Sequence, residues 1–151
     1  LIADEQTLHT LDILLVDDTE GDVKLTVRAF GDGKIKHRIH RVGNGQEALD
    51  YCNHWGNFED EGKFPKPDFI LLDINMPVLD GHETLKKLKE DPKLAHIPVA
   101  MLTTSILKAD ILKSFSNGAI SFITKPMVYG EFARFVDSFN QYWLTTSRLP
   151  E

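Results

Sequence analysis

Short runs of consecutive apolar residues recur along this chain, each closed by a polar residue. Ile13-Leu14-Leu15-Val16 ends on Asp17-Asp18, and Phe69-Ile70-Leu71-Leu72 ends on Asp73. Val99-Ala100-Met101-Leu102 ends on Thr103, and Ile120-Ser121-Phe122-Ile123-Thr124 runs into Lys125-Pro126. Such runs are too short for helices. A strand with no polar face must be buried on both sides, which is the condition inside a parallel sheet covered by helices. A weaker strand over His37–Val42 brings the set to five.

The intervening segments carry helical spacing. Val23, Val27 and Phe30 fall on one face, so a first helix is expected to bury them. Asn44 can cap a second, which carries Ala48, Leu49 and Cys52. Leu85 and Leu88 mark a third, which stops near Asp91-Pro92 because proline cannot continue the ladder. Ser105 can cap a fourth, with Leu107, Ile111 and Phe115 inward and an end at Asn117-Gly118. The last helix shows Phe132, Phe135, Val136, Phe139, Tyr142 and Trp143 at spacings of three and four. Strands alternating with helices give an α/β doubly wound five-stranded parallel sheet. Residues 1–10 read as an N-terminal extension, 11–143 as the domain and 144–151 as a C-terminal tail. Within the domain, residues 53–67 form an inserted loop rich in glycine and proline, which Trp55, Phe58 and Phe64 are expected to tie down.

Composition removes several function classes. A formal net charge of −6 over 151 residues argues against nucleic acid as a partner. No apolar run is long enough to span a bilayer, and no leader pattern opens the chain, so a cytoplasmic protein is expected. The single cysteine, Cys52, reads as a buried small hydrophobe, in keeping with a reducing compartment. The six histidines show no ligand-like cluster, and His82 reads as an exposed helix-start residue.

The chemistry gathers at the strand ends. In an open parallel sheet the carboxyl ends share one edge, and a crevice opens where strand order reverses. Asp17, Asp18, Asp73, Thr103 and Lys125 would therefore meet there. Carboxylates so close repel one another unless a cation neutralises them, and Mg2+, a hard oxygen-seeking ion, suits the set. Asp18 and Asp73 are expected as direct ligands, the backbone carbonyl of Asn75 as a third, and Asp17 through water. With the ion bound, Asp73 can stay ionised as a nucleophile toward phosphorus, with Lys125 and Thr103 stabilising the phosphoryl oxygens.

The segments Ile13–Asp18, Leu71–Gly81, Met101–Ser105 and Phe122–Pro126 resemble, in order and spacing, the signatures of CheY-like response regulator receiver domains. The resemblance runs from about Leu11 to Phe139. It implies a flavodoxin-like fold with strand order 2-1-3-4-5. It implies a two-component phosphorelay, in which a sensor histidine kinase phosphorylates Asp73 and a switch follows. In that switch the Thr103 hydroxyl turns toward the phosphoryl group and Phe122, at the family's switch-aromatic position, moves inward. It also implies a cis bond before Pro126, and it places Asn75 and Ser105 where the family tunes dephosphorylation. Phe122 lacks the phenolic oxygen of a tyrosine, so readout through that hydroxyl is closed.

The long 53–67 loop and the aromatic C-terminal end are similar to the single-domain branch that includes response regulators of cyanobacterial and bacterial phytochromes. A phytochrome is then a candidate kinase, and a homodimer through the last helix and tail a candidate assembly. With few residues after the last helix, output is expected through a protein-binding surface. Two alternatives compete: a magnesium-dependent phosphohydrolase with an aspartyl nucleophile, and a pseudo-receiver that binds without phosphorylation. Thr19 stands two residues after Asp17, where such a hydrolase would carry a second aspartate. The full set of acids, hydroxyl and lysine speaks against a pseudo-receiver.

Overall fold

The structure is a computed structural model that describes residues 10–31, 36–104 and 107–125, together with 130, 133 and 134. Five strands, β1 (Leu11–Val16), β2 (His37–Val42), β3 (Phe69–Asp73), β4 (Val99–Thr103) and β5 (Ser121–Thr124), form one sheet. Its order is β2-β1-β3-β4-β5 and every pairing is parallel. Helices α1 (Glu20–Gly31), α2 (Gly45–Asn53), α3 (Gly81–Glu90) and α4 (Lys108–Ser116) connect the strands, and a 3-10 turn, Gly56–Phe58, follows α2. Gly130, Ala133 and Arg134 are helical too.

Register brings the strand ends level. Val16 stands opposite Leu72, Asp73 opposite Leu102, and Thr103 opposite Thr124. The residues following β1 and β5 therefore lie beside the last residues of β3 and β4.

Each central strand feeds two cores, because successive side chains point to opposite faces. Leu14, Val16, Ile70, Leu72, Val99 and Met101 join Ala48, Cys52, Leu85 and Leu88 on one face. Ile13, Leu15, Phe69, Leu71, Ala100 and Leu102 join Val23 and Phe30 on the other. Burial of a large aliphatic side chain contributes about 1.5–3 kcal/mol, so β1, β3 and β4 anchor the domain.

The helix caps follow the sequence. The Asn44 side chain accepts from the Glu47 amide at 2.9 Å, and α3 ends at Glu90 just before Asp91-Pro92. Gly118 takes a φ of +104° after α4, where glycine carries no side-chain penalty.

Four expectations are corrected. On α1, Val27 is 45% exposed, and Thr26 occupies the buried stripe with Val23 and Phe30. The phase of a helix is set by the residue that packs, and Phe30 places 23, 26 and 30 inward. On α4, Leu107 and Phe115 face solvent, and Ser114 is the fully buried residue. The Ser114 hydroxyl donates to the Asp110 carbonyl at 2.8 Å, so it satisfies itself locally and lets the helix backbone approach the sheet. Leu107 precedes α4 without a side-chain cap, and Ser105 lies outside the described residues.

In the inserted loop, Phe58 and Phe64 pack around Tyr51, whose hydroxyl donates to the Pro65 carbonyl at 2.9 Å, but Trp55 is exposed. Here the fastening is a three-ring cluster. His82 is buried, not exposed: it packs at the start of α3 with Nε2 3.5 Å from Asp110 Oδ1 on α4. Neither ring nitrogen makes a hydrogen bond. Phe132, Phe135, Val136, Phe139, Tyr142 and Trp143, and with them the expected dimer face, lie outside the described residues, as do Pro126, residues 1–9 of the N-terminal extension and the tail.

Candidate phosphoryl-acceptor site

The carboxyl edge assembles as its strand ends require. Asp17 and Thr103 are fully buried, Asp73 nearly so, and Asp18 is exposed. One carboxylate oxygen from each of Asp17, Asp18 and Asp73 falls within 4.8 Å of the others, a spacing that a single cation can span. Asp17 Oδ1 accepts from the Thr19 amide at 3.0 Å, which fixes the turn into α1. Its other oxygen is buried without a hydrogen-bond partner.

Lys125 enters from the end of β5, where its amide donates to the Thr103 carbonyl at 2.7 Å. Its ammonium lies 2.8 Å from Asp17 Oδ2 and 3.3 Å from Asp73 Oδ2. It donates a hydrogen bond of 3.0 Å to Asp22 Oδ2 on α1. The 2.8 Å contact to Asp17 Oδ2 is a buried ion pair.

Burial pushes the Asp73 carboxyl up to about 6, with the Asp17 charge adding to the rise. The Lys125 ammonium and the Asn75 amide pull the other way and do not cancel it. One ammonium faces too many carboxylates, and the pocket is short of positive charge. Three converging carboxylates with a single ammonium among the two buried ones form a donor set that suits a hard divalent cation.

The loop after β3 brings the backbone close. Gly81 donates to the Ile74 carbonyl at 2.8 Å, and a Cβ at Gly81 would lie 2.6 Å from Ile74 Cα and closer still to the Asp73 carbonyl. Val78 and Leu79 adopt φ of +50° and +79°, and Asp80 then caps α3 by accepting from the Glu83 amide at 2.9 Å. Phe122, opposite Met101, is half-buried against the core. Asn75 is exposed, and its backbone amide draws the Asp73 carboxyl downward.

Of the residues expected at this edge from the sequence, Asp17, Asp18, Asp73 and Lys125 come together, and Thr103 ends β4 with its carbonyl accepting from the Lys125 amide. Asp22 was missed. It lies in the first turn of α1, where an acid ordinarily complements the helix dipole, so nothing in the sequence marks it as a partner of Lys125.

Residues 13–137 match the response regulator receiver domain family. The chain belongs to that family. This receiver domain is 36% identical over 138 residues to the probable methanogenesis regulatory protein FilR2 of Methanothrix harundinacea, covering 91% of this chain and 86% of the relative. It is 33% identical to the response regulator Rcp1 of Synechocystis, over 91% and 92%. The Mn(2+)-bound form of Rcp1 superposes with a TM-score of 0.70 at 32% identity, over 90% and 96% of the two chains. The phosphorylated cyanobacterial phytochrome response regulator RcpA gives a TM-score of 0.73 at 34% identity, over 91% and 96%. The sheet order and parallel strands are those of a CheY-like fold, and the family places the chain in two-component phosphorelay signalling. No helix among the described residues is long and apolar enough to cross a membrane.

Proposed function

We propose that this receiver acts as a stand-alone response regulator whose phosphoryl acceptor is Asp73, in a Mg2+-dependent reaction. The observation that carries it is the convergence of Asp17, Asp18 and Asp73 around one point, with Lys125 reaching the same two buried acids. Asp73 Oδ forms the new bond to phosphorus as the bond from phosphorus to the donor breaks, and the leaving group takes up a proton. Lys125 stabilises charge on the equatorial oxygens, and the Thr103 hydroxyl at the end of β4 serves the same oxygens. Asp18, Asp73 and the Asn75 carbonyl would hold the metal, with Asp17 acting through water. The metal supplies charge neutralisation that keeps Asp73 ionised and draws the phosphoryl group in.

The donor we propose is the phosphohistidine of a sensor histidine kinase of the phytochrome class, supported by likeness to Rcp1 and RcpA. The change in charge at Asp73 is relayed by Thr103 and Phe122 to a protein-binding surface. A cytoplasmic setting fits the buried, reduced Cys52.

Incubation with acetyl phosphate and magnesium should add one phosphoryl mass to the wild-type chain and none to Asp73→Asn. No gain in either protein would favour a pseudo-receiver. Sustained turnover of phosphate esters that depends on Asp73 would favour a hydrolase.

A further inference from the structure

An ammonium has three N–H donors, and Lys125 sits among three carboxylates. Two of them, Asp17 and Asp73, belong to the pocket, where the contacts are ion pairs. The third, Asp22, accepts a hydrogen bond from the Lys125 ammonium at 3.0 Å. Asp22 thus competes for the donor that a phosphoryl oxygen on Asp73 would need.

Its exposure decides which partner yields. The Asp17 side chain is fully buried, whereas that of Asp22 is 32% exposed. Releasing Asp17 would strand a charge in a dry pocket; releasing Asp22 lets water take over its oxygen. Its backbone belongs to α1 and does not have to move.

We propose that Asp22 is a positioning residue that latches Lys125 in the unphosphorylated receiver and is displaced when a phosphoryl group occupies Asp73. The phosphoryl oxygen takes the N–H that Asp22 gives up, and Asp22 turns to solvent. The latch lowers affinity for the phosphoryl group and so sets how readily the switch is occupied. It rests on Asp73 being the acceptor.

The test is calorimetric titration of the whole chain with beryllofluoride, a phosphoryl mimic, at saturating magnesium. Asp22→Asn keeps the shape of the side chain and removes its charge. It should bind beryllofluoride about tenfold more tightly, the scale of one exposed charge-assisted hydrogen bond. Asp22→Glu, which restores the charge within reach of the ammonium, should return affinity toward wild type. Glu20→Gln removes a charge from the same helical turn, but Glu20 pairs with Arg41 at 3.1 Å and should leave affinity unchanged.

In a Lys125→Met background, Asp22→Asn should have no effect. Persistence of the gain there, or an equal gain in Glu20→Gln, would show a general charge effect and overturn the latch. Unchanged or weaker binding by Asp22→Asn in the wild-type background would overturn it as well, weaker binding marking Asp22 as an aid to Lys125. If the wild-type chain itself fails to bind beryllofluoride, the acceptor assignment falls and the latch falls with it.

Discussion

Removing the Asp73 carboxylate should make the metal-free protein more stable, although it removes a partner of Lys125. Burial lifts the Asp73 carboxyl from its ordinary 3.8 to about 6. Between those values the folded chain binds more protons at this site than the unfolded chain. Stability therefore falls as pH rises through this window, and above it the full penalty for an ionised Asp73 is present. A rise of that size corresponds to about 3 kcal/mol at about 1.4 kcal/mol per pH unit, and the buried amide of asparagine has its own desolvation cost. Asp73→Asn should thus gain roughly 2 kcal/mol at pH 7.5, or about 4–8 °C in Tm for a domain of this size. Lys125 keeps Asp17 and Asp22, so no buried cation is left unpaired.

The assay is thermal and urea denaturation of both proteins in a chelator at pH 4.5 and 7.5, then with magnesium. At pH 4.5, where Asp73 is protonated in the fold, the difference should shrink. With magnesium the wild type should recover, because binding to the folded site stabilises it and Asp73→Asn lacks a ligand. A substituted protein no more stable than wild type at pH 7.5 without metal would refute the electrostatic argument.

Three further substitutions test local causes. Gly81→Ala should destabilise by about 2–4 kcal/mol in urea denaturation and slow phosphorylation, since its Cβ meets the backbone of Asp73 and Ile74 rather than a flexible side chain. Val78→Gly should stabilise by about 0.5–1 kcal/mol: the exposed, β-branched Val78 sits at φ +50°, a strain that exceeds glycine's entropic cost. His82→Leu should be neutral or stabilising by up to about 1 kcal/mol, because it replaces a buried ring without hydrogen bonds by an apolar side chain. A loss above about 2 kcal/mol would instead show that the contact of His82 with Asp110 holds α3 against α4.

The sheet was legible in the sequence because unbroken apolar strands leave no other place for themselves. Phe69–Leu72 is buried on both faces, as its composition demands. The polar residues that close such strands inherit their edge, which is why Asp17, Asp73, Thr103 and Lys125 could be placed together.

What failed was helix phase and pairing across elements. Val27 and Phe115 are apolar at plausible spacings, yet a helix rotates to suit its best-packed residue, and Phe30 and Ser114 set the angle. His82 looked like an exposed start to α3, and its burial depends on α4 lying alongside. Asp22 shows the same limit, since its bond to Lys125 joins residues a hundred positions apart through a contact that no local pattern encodes.

The central claim is that this edge makes Asp73 a metal-dependent phosphoryl acceptor. Fragmentation mass spectrometry after reaction with acetyl phosphate tests it most directly, with magnesium in one sample and a chelator in the other. One phosphoryl group on Asp73, present with magnesium and lost with the chelator, is the predicted result. Modification at another residue, or equal modification without metal, would contradict it.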